Sequence, residues 1–437
     1  MVKVVVKKSS VCVLFSILLI ATYPINYPIA LSLRPVDFIF ILFAVWAAFN
    51  HSVRTRYLYI SISIFYILYF LSTIYGVFFI GIVTPRNFAF IYKYSVLFIC
   101  VWLFVSSQFN ERQVKFLLKT LFFSFLVIII FEYIILYKFI VITPKLIRFF
   151  RPHFPFTDPY FKDSHLLAAY ISTGLLAIIL CKRYHLLKIN LLPYGILVTI
   201  VFLAMLLTGS RNGIITFVMT LFAFNFYLLF RKFNVQQNLV RIKRPTLYLA
   251  FIVLISATVI LGLYMKHGPE NDLATRLLKR AFYFDPSEDQ SYLGRVRKFI
   301  IAYNLVFDGP ILIGIGLQSS PLPFFDGAIA SILVSTGLTG LFVFAAIIYL
   351  FFANLYAKAV QNERKEEFLI CFFVSMNYIL ANLITEFFLV SRSVIPFAIF
   401  LGLTTRLVHI PKVAVADGNR TNEGLDHNCL LQYRRDD

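Results

Sequence analysis

Val11-Cys12-Val13-Leu14-Phe15-Ser16-Ile17-Leu18-Leu19-Ile20-Ala21 carries no charge, and neither does the longer run from Tyr248 through Phe251-Ile252-Val253-Leu254-Ile255 to Tyr264. Neither alternates apolar with polar residues, as a barrel strand between lipid and a wet lumen must. Similar runs recur along the chain, many near the ~18 residues that a membrane span requires. With 437 residues, 60% hydrophobic and 14% charged, and a mean hydropathy of +0.81, the chain has more apolar surface than a soluble fold can hide. Backbone in lipid must satisfy its own polar groups, here in helices. The expected fold class is all-α, a polytopic transmembrane helical bundle of about twelve spans with two long outer loops.

The spans are expected at 11–32, 36–50, 57–81, 88–106, 115–137, 165–181, 189–208, 212–230, 246–265, 326–353, 367–388 and 394–409. Lys3, Lys7 and Lys8 precede the first run as in a signal peptide. It reads as an uncleaved first span, with cleavage near Ala30 as the alternative. The formal net charge is +20, and much of it sits in short connections at Arg54, Arg56, Lys182, Arg183, Arg231, Lys232, Arg241, Lys243 and Arg244. Clustering beside spans marks cytoplasmic loops rather than a nucleic-acid surface. Both termini then lie inside. Residues 1–411 form one polytopic domain with outer loops 138–164 and 266–325, and 412–437 form a disordered cytoplasmic tail. The five cysteines, Cys12, Cys100, Cys181, Cys371 and Cys429, have neither a disulfide framework's placement nor zinc-site spacing.

Inside the second outer loop, Leu293, Val296, Ile300, Tyr303 and Phe307 recur every three or four residues. They predict an amphipathic helix in the interface plane, its apolar face towards lipid or other helices, ended by Gly309-Pro310. The outer-side ionisable residues in or beside spans are Asp37, Lys93, Glu132, Asp163 with His165, Arg211, Asp326, Glu386 and Arg392. They cluster near the outer ends of their helices, which suits a cavity open to the outside better than a mid-depth transport path. Snorkelling and helix capping are the bland alternatives for each.

Arg211 stands in the tight turn Thr208-Gly209-Ser210-Arg211-Asn212-Gly213, where it has little room to snorkel. A guanidinium there is suited to bidentate grip of phosphate oxygens. Arg295, with Arg297 and Lys298, borders the amphipathic helix and is open to the same role or to attraction by anionic headgroups. No phosphate-cradling glycine loop, nucleophile elbow, zinc pair or sugar-nucleotide signature is present, so an outer-face enzyme would need a donor already activated and delivered by the membrane.

The order of these motifs resembles the bacterial O-antigen polymerase and ligase family of polytopic membrane glycosyltransferases. The resemblance is carried by Ser210-Arg211, by Gly294-Arg295 running to Pro310 and Gly314-Ile315-Gly316, and by Asp326 opening a span through Ser335-Thr336-Gly337-Leu338-Thr339-Gly340-Leu341. Asp158-Pro159-Tyr160 and Asp163-Ser164-His165-Leu166-Leu167-Ala168-Ala169-Tyr170 are similar to the segment entering the family's mid-chain span.

The resemblance implies transfer from a polyprenyl-diphosphate-linked oligosaccharide at the outer face of the inner membrane. Donor, acceptor and membrane lipids are the implied partners, with a chain-length regulator and a flippase beside them and no nucleic acid. No cofactor and no metal are called for. The leaving diphosphate would be met by Arg211 and Arg295, with Arg297 or Arg280 assisting. The candidate bases for the acceptor hydroxyl are His165, Asp163 and Asp326.

Ligases carry a histidine in the large outer loop. Here the span-opening position is Asp326, and the loop's histidine, His267, lies far upstream, which favours polymerase over ligase. The polymerases' arginine-to-glycine spacing is not cleanly matched, so the arginine roles stay open. A lipid-linked oligosaccharide flippase and a non-catalytic assembly partner are the other classes, the latter lacking the expected heptads.

Overall fold

The computed structural model of the chain describes residues 8–23, 35–50, 56–80, 86–107, 109–141, 164–234, 290–316, 327–384 and 391–412. Its helices are α1 (Lys8–Thr22), α2 (Pro35–Asn50), α3 (Arg56–Ile80), α4 (Arg86–Ser106), α5 (Glu111–Val141), α6 (Ser164–Arg183), α7 (Leu191–Leu207), α8 (Arg211–Asn234), α9 (Gln290–Phe307), α10 (Ala328–Gln361), α11 (Lys365–Ile384) and α12 (Ser391–His409). The described residues contain no strand. Every expected span has a helix at its position except 246–265, which lies outside the described residues. The tail from 413 lies outside them as well.

Four apolar stretches are long enough to cross a membrane: Glu111–Ile135, Ser164–Arg183, Ala328–Gln361 and Lys365–Leu383. The described part of the chain is all-helical, without strands, and these four stretches give it membrane character. Helix α5 runs to Val141, through Lys138 where the first outer loop was expected to begin.

Helix α9 is the expected amphipathic segment, with Leu293, Val296, Ile300, Tyr303 and Phe307 on its exposed side. It packs through Ala302 and Val306 against Ala330 and Val334 of α10.

Side-chain contacts fix the helix directions. Ala168 meets Gly213 and His165 meets Ser210, so α6 and α8 run parallel. Asn212 with Ala381 and Thr220 with Asn377 set α8 antiparallel to α11. Cys371 with Thr405 and Tyr378 with Phe397 set α11 antiparallel to α12. Phe122 with Phe400 and Phe109 with Arg406 set α5 antiparallel to α12 as well. The N-termini of α6 and α8 therefore share one end of the bundle with the C-termini of α7 and α11.

Helix α6 is the most enclosed of the four long apolar stretches, 89% buried. Ala168, Ala169, Ser172, Thr173, Gly174 and Ala177 give it the small surface that lets neighbouring helices approach. At its middle Asn377 of α11 donates to Ser172 Oγ at 3.1 Å and Thr173 Oγ1 at 3.0 Å, and accepts from Thr220 of α8 at 3.4 Å. Each such interhelical bond is worth about 1 kcal/mol. Cys12, Cys100, Cys181 and Cys371 are buried and unpaired with one another.

Helix α10 is interrupted at Gly337, with φ 65° and ψ −168°. A regular helix would bond the amides of Leu338 and Thr339 to the carbonyls of Val334 and Ser335. Here those amides donate instead to Ile311 O at 2.9 Å and Leu312 O at 3.3 Å. The vacated carbonyls accept from Ile315 N at 2.8 Å and Gly316 N at 3.2 Å, and Ser335 O also accepts from Ser72 Oγ. The strap 310–316 thus replaces both lost helical bonds. A Cβ at Gly314 would stand 2.6 Å from Gly337 N, and one at Gly337 2.4 Å from Leu312 O. Both positions also need positive φ, so glycine serves twice.

At the far end, Arg364 is 4% exposed and donates to Glu367 at 2.7 Å, to Glu111 and to Ile410 O at 3.1 Å. It ties the start of α5 to the α10–α11 turn and the end of α12. Arg364→Met leaves the buried Glu367 without its cation and Glu111 with Lys115 alone, and should cost about 3 kcal/mol, read as a lower melting temperature in detergent. Replacing Arg364, Glu111 and Glu367 together by apolar residues should recover most of that loss. A single variant as stable as wild type would show that the cluster is not a latch.

Candidate functional site

The α7–α8 turn begins where α7 runs out. Thr208 Oγ1 donates to Met205 O at 2.7 Å and accepts from Ser210 N at 3.2 Å. These local bonds satisfy groups that a helix end leaves open. They place Ser210 just before the first turn of α8, with its hydroxyl 2.8 Å from His165 Nδ1. Ser210 is fully buried, whereas His165 and Arg211 are half-buried. Arg211 is the first residue of α8, so its cation stands at the helix end whose dipole favours anions.

Two segments singled out separately in the sequence, around His165 and around Arg211, therefore meet. The close approach of α6 and α8 permits it, because a Cβ at Gly213 would lie 2.7 Å from Ala168 O. That distance excludes any larger residue unless the helices separate. Asn212, next in the chain, donates to Ala381 O at 3.1 Å and holds the same turn to α11.

The remaining candidates are not gathered here. Arg297 is exposed on α9, whose main packing partner is α10. Arg295 lies on α9 two residues earlier. Asp163, Asp326 and Arg280 lie outside the described residues. Asp37 is buried at the start of α2, and Glu132 is buried on α5.

About 7.5 to 12 Å along α6 from His165, Tyr170 and Thr173 line an apolar cleft with Phe125, Tyr378, Ser393 and Phe397. It lies between α5, α6, α11 and α12. The arrangement offers a cation at a helix N-terminus, an imidazole with one nitrogen held by a serine, and apolar space beneath.

Two features escaped the sequence. Nothing in the turn Thr208–Gly213 marks Ser210 as the partner of His165, although serine just ahead of a helix is a familiar cap. The Arg364 latch was passed over inside Asn362-Glu363-Arg364-Lys365-Glu366-Glu367, which looks like an ordinary polar link. Only its pairing with Glu111, far away in sequence, reveals the role.

Side chains with tips 2.8 Å apart lie within reach of a disulfide if both become cysteine. In the double variant His165→Cys/Ser210→Cys, mild oxidation should protect both thiols from a maleimide label. Adding Gly213→Val should abolish the protection by parting α6 from α8. Equal labelling before and after oxidation in the double variant would contradict the contact.

No protein-family model matches the chain, and no curated protein does.

Proposed function

We propose that the chain is a membrane glycosyltransferase, a surface-polysaccharide (O-antigen) polymerase. It joins polyprenyl-diphosphate-linked oligosaccharide repeat units at the outer face of the bacterial inner membrane. In this reading it crosses the membrane about twelve times with both termini cytoplasmic, and the His165 end of the bundle faces outward. The observation that supports the reading most is the meeting of His165 with Ser210 beside Arg211 at one end of the bundle, above an apolar cleft. A diphosphate on an isoprenoid needs that combination of cation and apolar space.

The transfer is a displacement at the anomeric carbon of the donor saccharide. The acceptor hydroxyl oxygen forms the new glycosidic C–O bond. The C–O bond to the diphosphate breaks, and its electron pair departs with the polyprenyl diphosphate. Arg211 meets the growing negative charge, and Arg295, Arg297 and Arg280 are the further cations assigned to it. The hydroxyl proton passes to a base, for which His165, Asp163 and Asp326 are the candidates. For His165 to serve at Nε2, Nδ1 must carry the hydrogen and donate it to Ser210 Oγ, which as a hydroxyl is able to accept it.

The broken helix α10 favours a second reading, a lipid-linked oligosaccharide transporter, because interrupted spans build transporter sites. Against it, the amides and carbonyls freed at Gly337 are taken by the strap 310–316 and are not offered to a ligand.

The test is the surface-polysaccharide ladder of a deletion strain complemented with wild type or with Arg211→Ala, both shown to be in the membrane. Polymerisation requires that deletion leave core plus one repeat and that wild type restore the ladder. Arg211→Ala should restore at most a faint one, since loss of a transition-state cation costs about 10²-fold or more. Equal restoration by both removes Arg211 from the chemistry. Loss of even the single repeat on deletion would overturn polymerase in favour of transport.

A further inference from the structure

Glu132 is a buried acid that the site as described leaves unused. It is 4% exposed on α5, inside the apolar stretch Glu111–Ile135. Among the described residues neither of its carboxylate oxygens has a hydrogen-bond partner. The other deeply buried glutamate, Glu367, is answered by Arg364 at 2.7 Å. A carboxyl group enclosed by apolar side chains at membrane depth is costly, and such groups persist where function needs them.

Its position along the bundle follows from the packing of α5 on α6. Phe125 lies against Tyr170 with ring centroids 5.3 Å apart, and the two helices are antiparallel. Glu132 is two turns, about 10 Å, beyond Phe125 and on the same stripe of α5. His165 is about 7.5 Å from Tyr170 in the same direction. Glu132 and His165 therefore stand within about one turn of the same height. The stripe that ends at Glu132 also carries Leu121 and Phe125, which wall the cleft, so Glu132 lies on the cleft-facing side of α5 about two turns beyond it.

The chemistry of the missing partner is restricted. An anionic phosphate is better met by the cation Arg211 at the same end, and hydroxyl groups, which both donate and accept, answer a carboxyl in either protonation state. Among the described residues no group of three or more His, Cys, Asp or Glu side chains gathers to complete a metal's shell. Saccharide hydroxyls are donors, and one carboxylate accepts two of them side by side.

We propose that Glu132 binds saccharide, accepting hydrogen bonds from hydroxyl groups of the sugar next to the diphosphate. Arg211 and Glu132 then read adjacent parts of one ligand, the diphosphate and the sugar it carries. The inference rests on the polymerase reading and adds to it a residue for the sugar.

The test uses purified full-length protein in nanodiscs and two probes, a polyprenyl-diphosphate-linked repeat unit and plain polyprenyl diphosphate. Glu132→Leu should weaken binding of the sugar-bearing probe about tenfold or more, the worth of a charged hydrogen bond, and leave plain polyprenyl diphosphate unchanged. It should also raise the melting temperature of the unliganded protein, because an unanswered buried carboxyl has been removed. Glu132→Gln, which can still accept, should keep part of the affinity. Equal loss for both probes with a lower melting temperature would mean a structural role and overturn the inference. Unchanged binding of both probes would overturn it too. Wild type that binds neither probe would instead overturn the polymerase reading itself, and this inference with it.

Discussion

An amide or carbonyl in apolar surroundings has no water to turn to, so wherever a helix stops or breaks, something must take up the groups it frees. The break in α10 shows how strictly this is met. Two helical bonds are lost across Gly337 and four bonds to the strap take their place, with the Ser72 hydroxyl adding a fifth partner. The strap can reach only because two glycines face each other without side chains. Helix α9 precedes the strap in the chain and is packed on the same part of α10, so its position follows from this exchange.

The same requirement shapes the centre of the bundle differently. There the helices are continuous, and the polar atoms that need partners belong to side chains. Asn377 spends both donors and its acceptor on α6 and α8, and the threonines of α8 bond back to their own helix. Small residues on α6 bring the helices close enough for this. At one contact, Gly213 on Ala168, the closeness also sets the distance from Ser210 to His165. Packing and site are therefore one constraint, and widening the gap between α6 and α8 would separate the imidazole from its serine.

How much of this was legible depended on range. Apolar period and length located the helices, including the amphipathic α9 and its stop at Gly309-Pro310, because those signals are local. The His165 segment and the Arg211 turn were both noticed, but nothing in either indicates that they touch, since parallel α6 and α8 bring them together only through α7. Gly314-Ile315-Gly316 and the run from Ser335 to Gly340 were quoted as separate motifs. Their spacing does not show that they hydrogen-bond to each other. Arg364 was invisible because its partner Glu111 lies on a helix some distance earlier, and charge in a short link normally signals solvent.

The two ends of the bundle treat charge in opposite ways. At the Arg364 end, the buried cation meets two carboxylates and a carbonyl, and Arg406 meets Phe109 O at 3.1 Å. Such an end is closed chemically, and its role is to hold five helix termini together. At the His165 end, a half-buried arginine sits at a helix start, and a buried glutamate stands at nearly the same height with no hydrogen-bond partner among the described residues. Folding alone gives no reason to keep an acid there, because leucine would pack as well and avoid the desolvation cost. Where the Arg364 end pairs its buried cation with carboxylates, the other end holds Glu132 with no hydrogen-bond partner among the described residues, and it is there that the proposed sugar would complete the bonding.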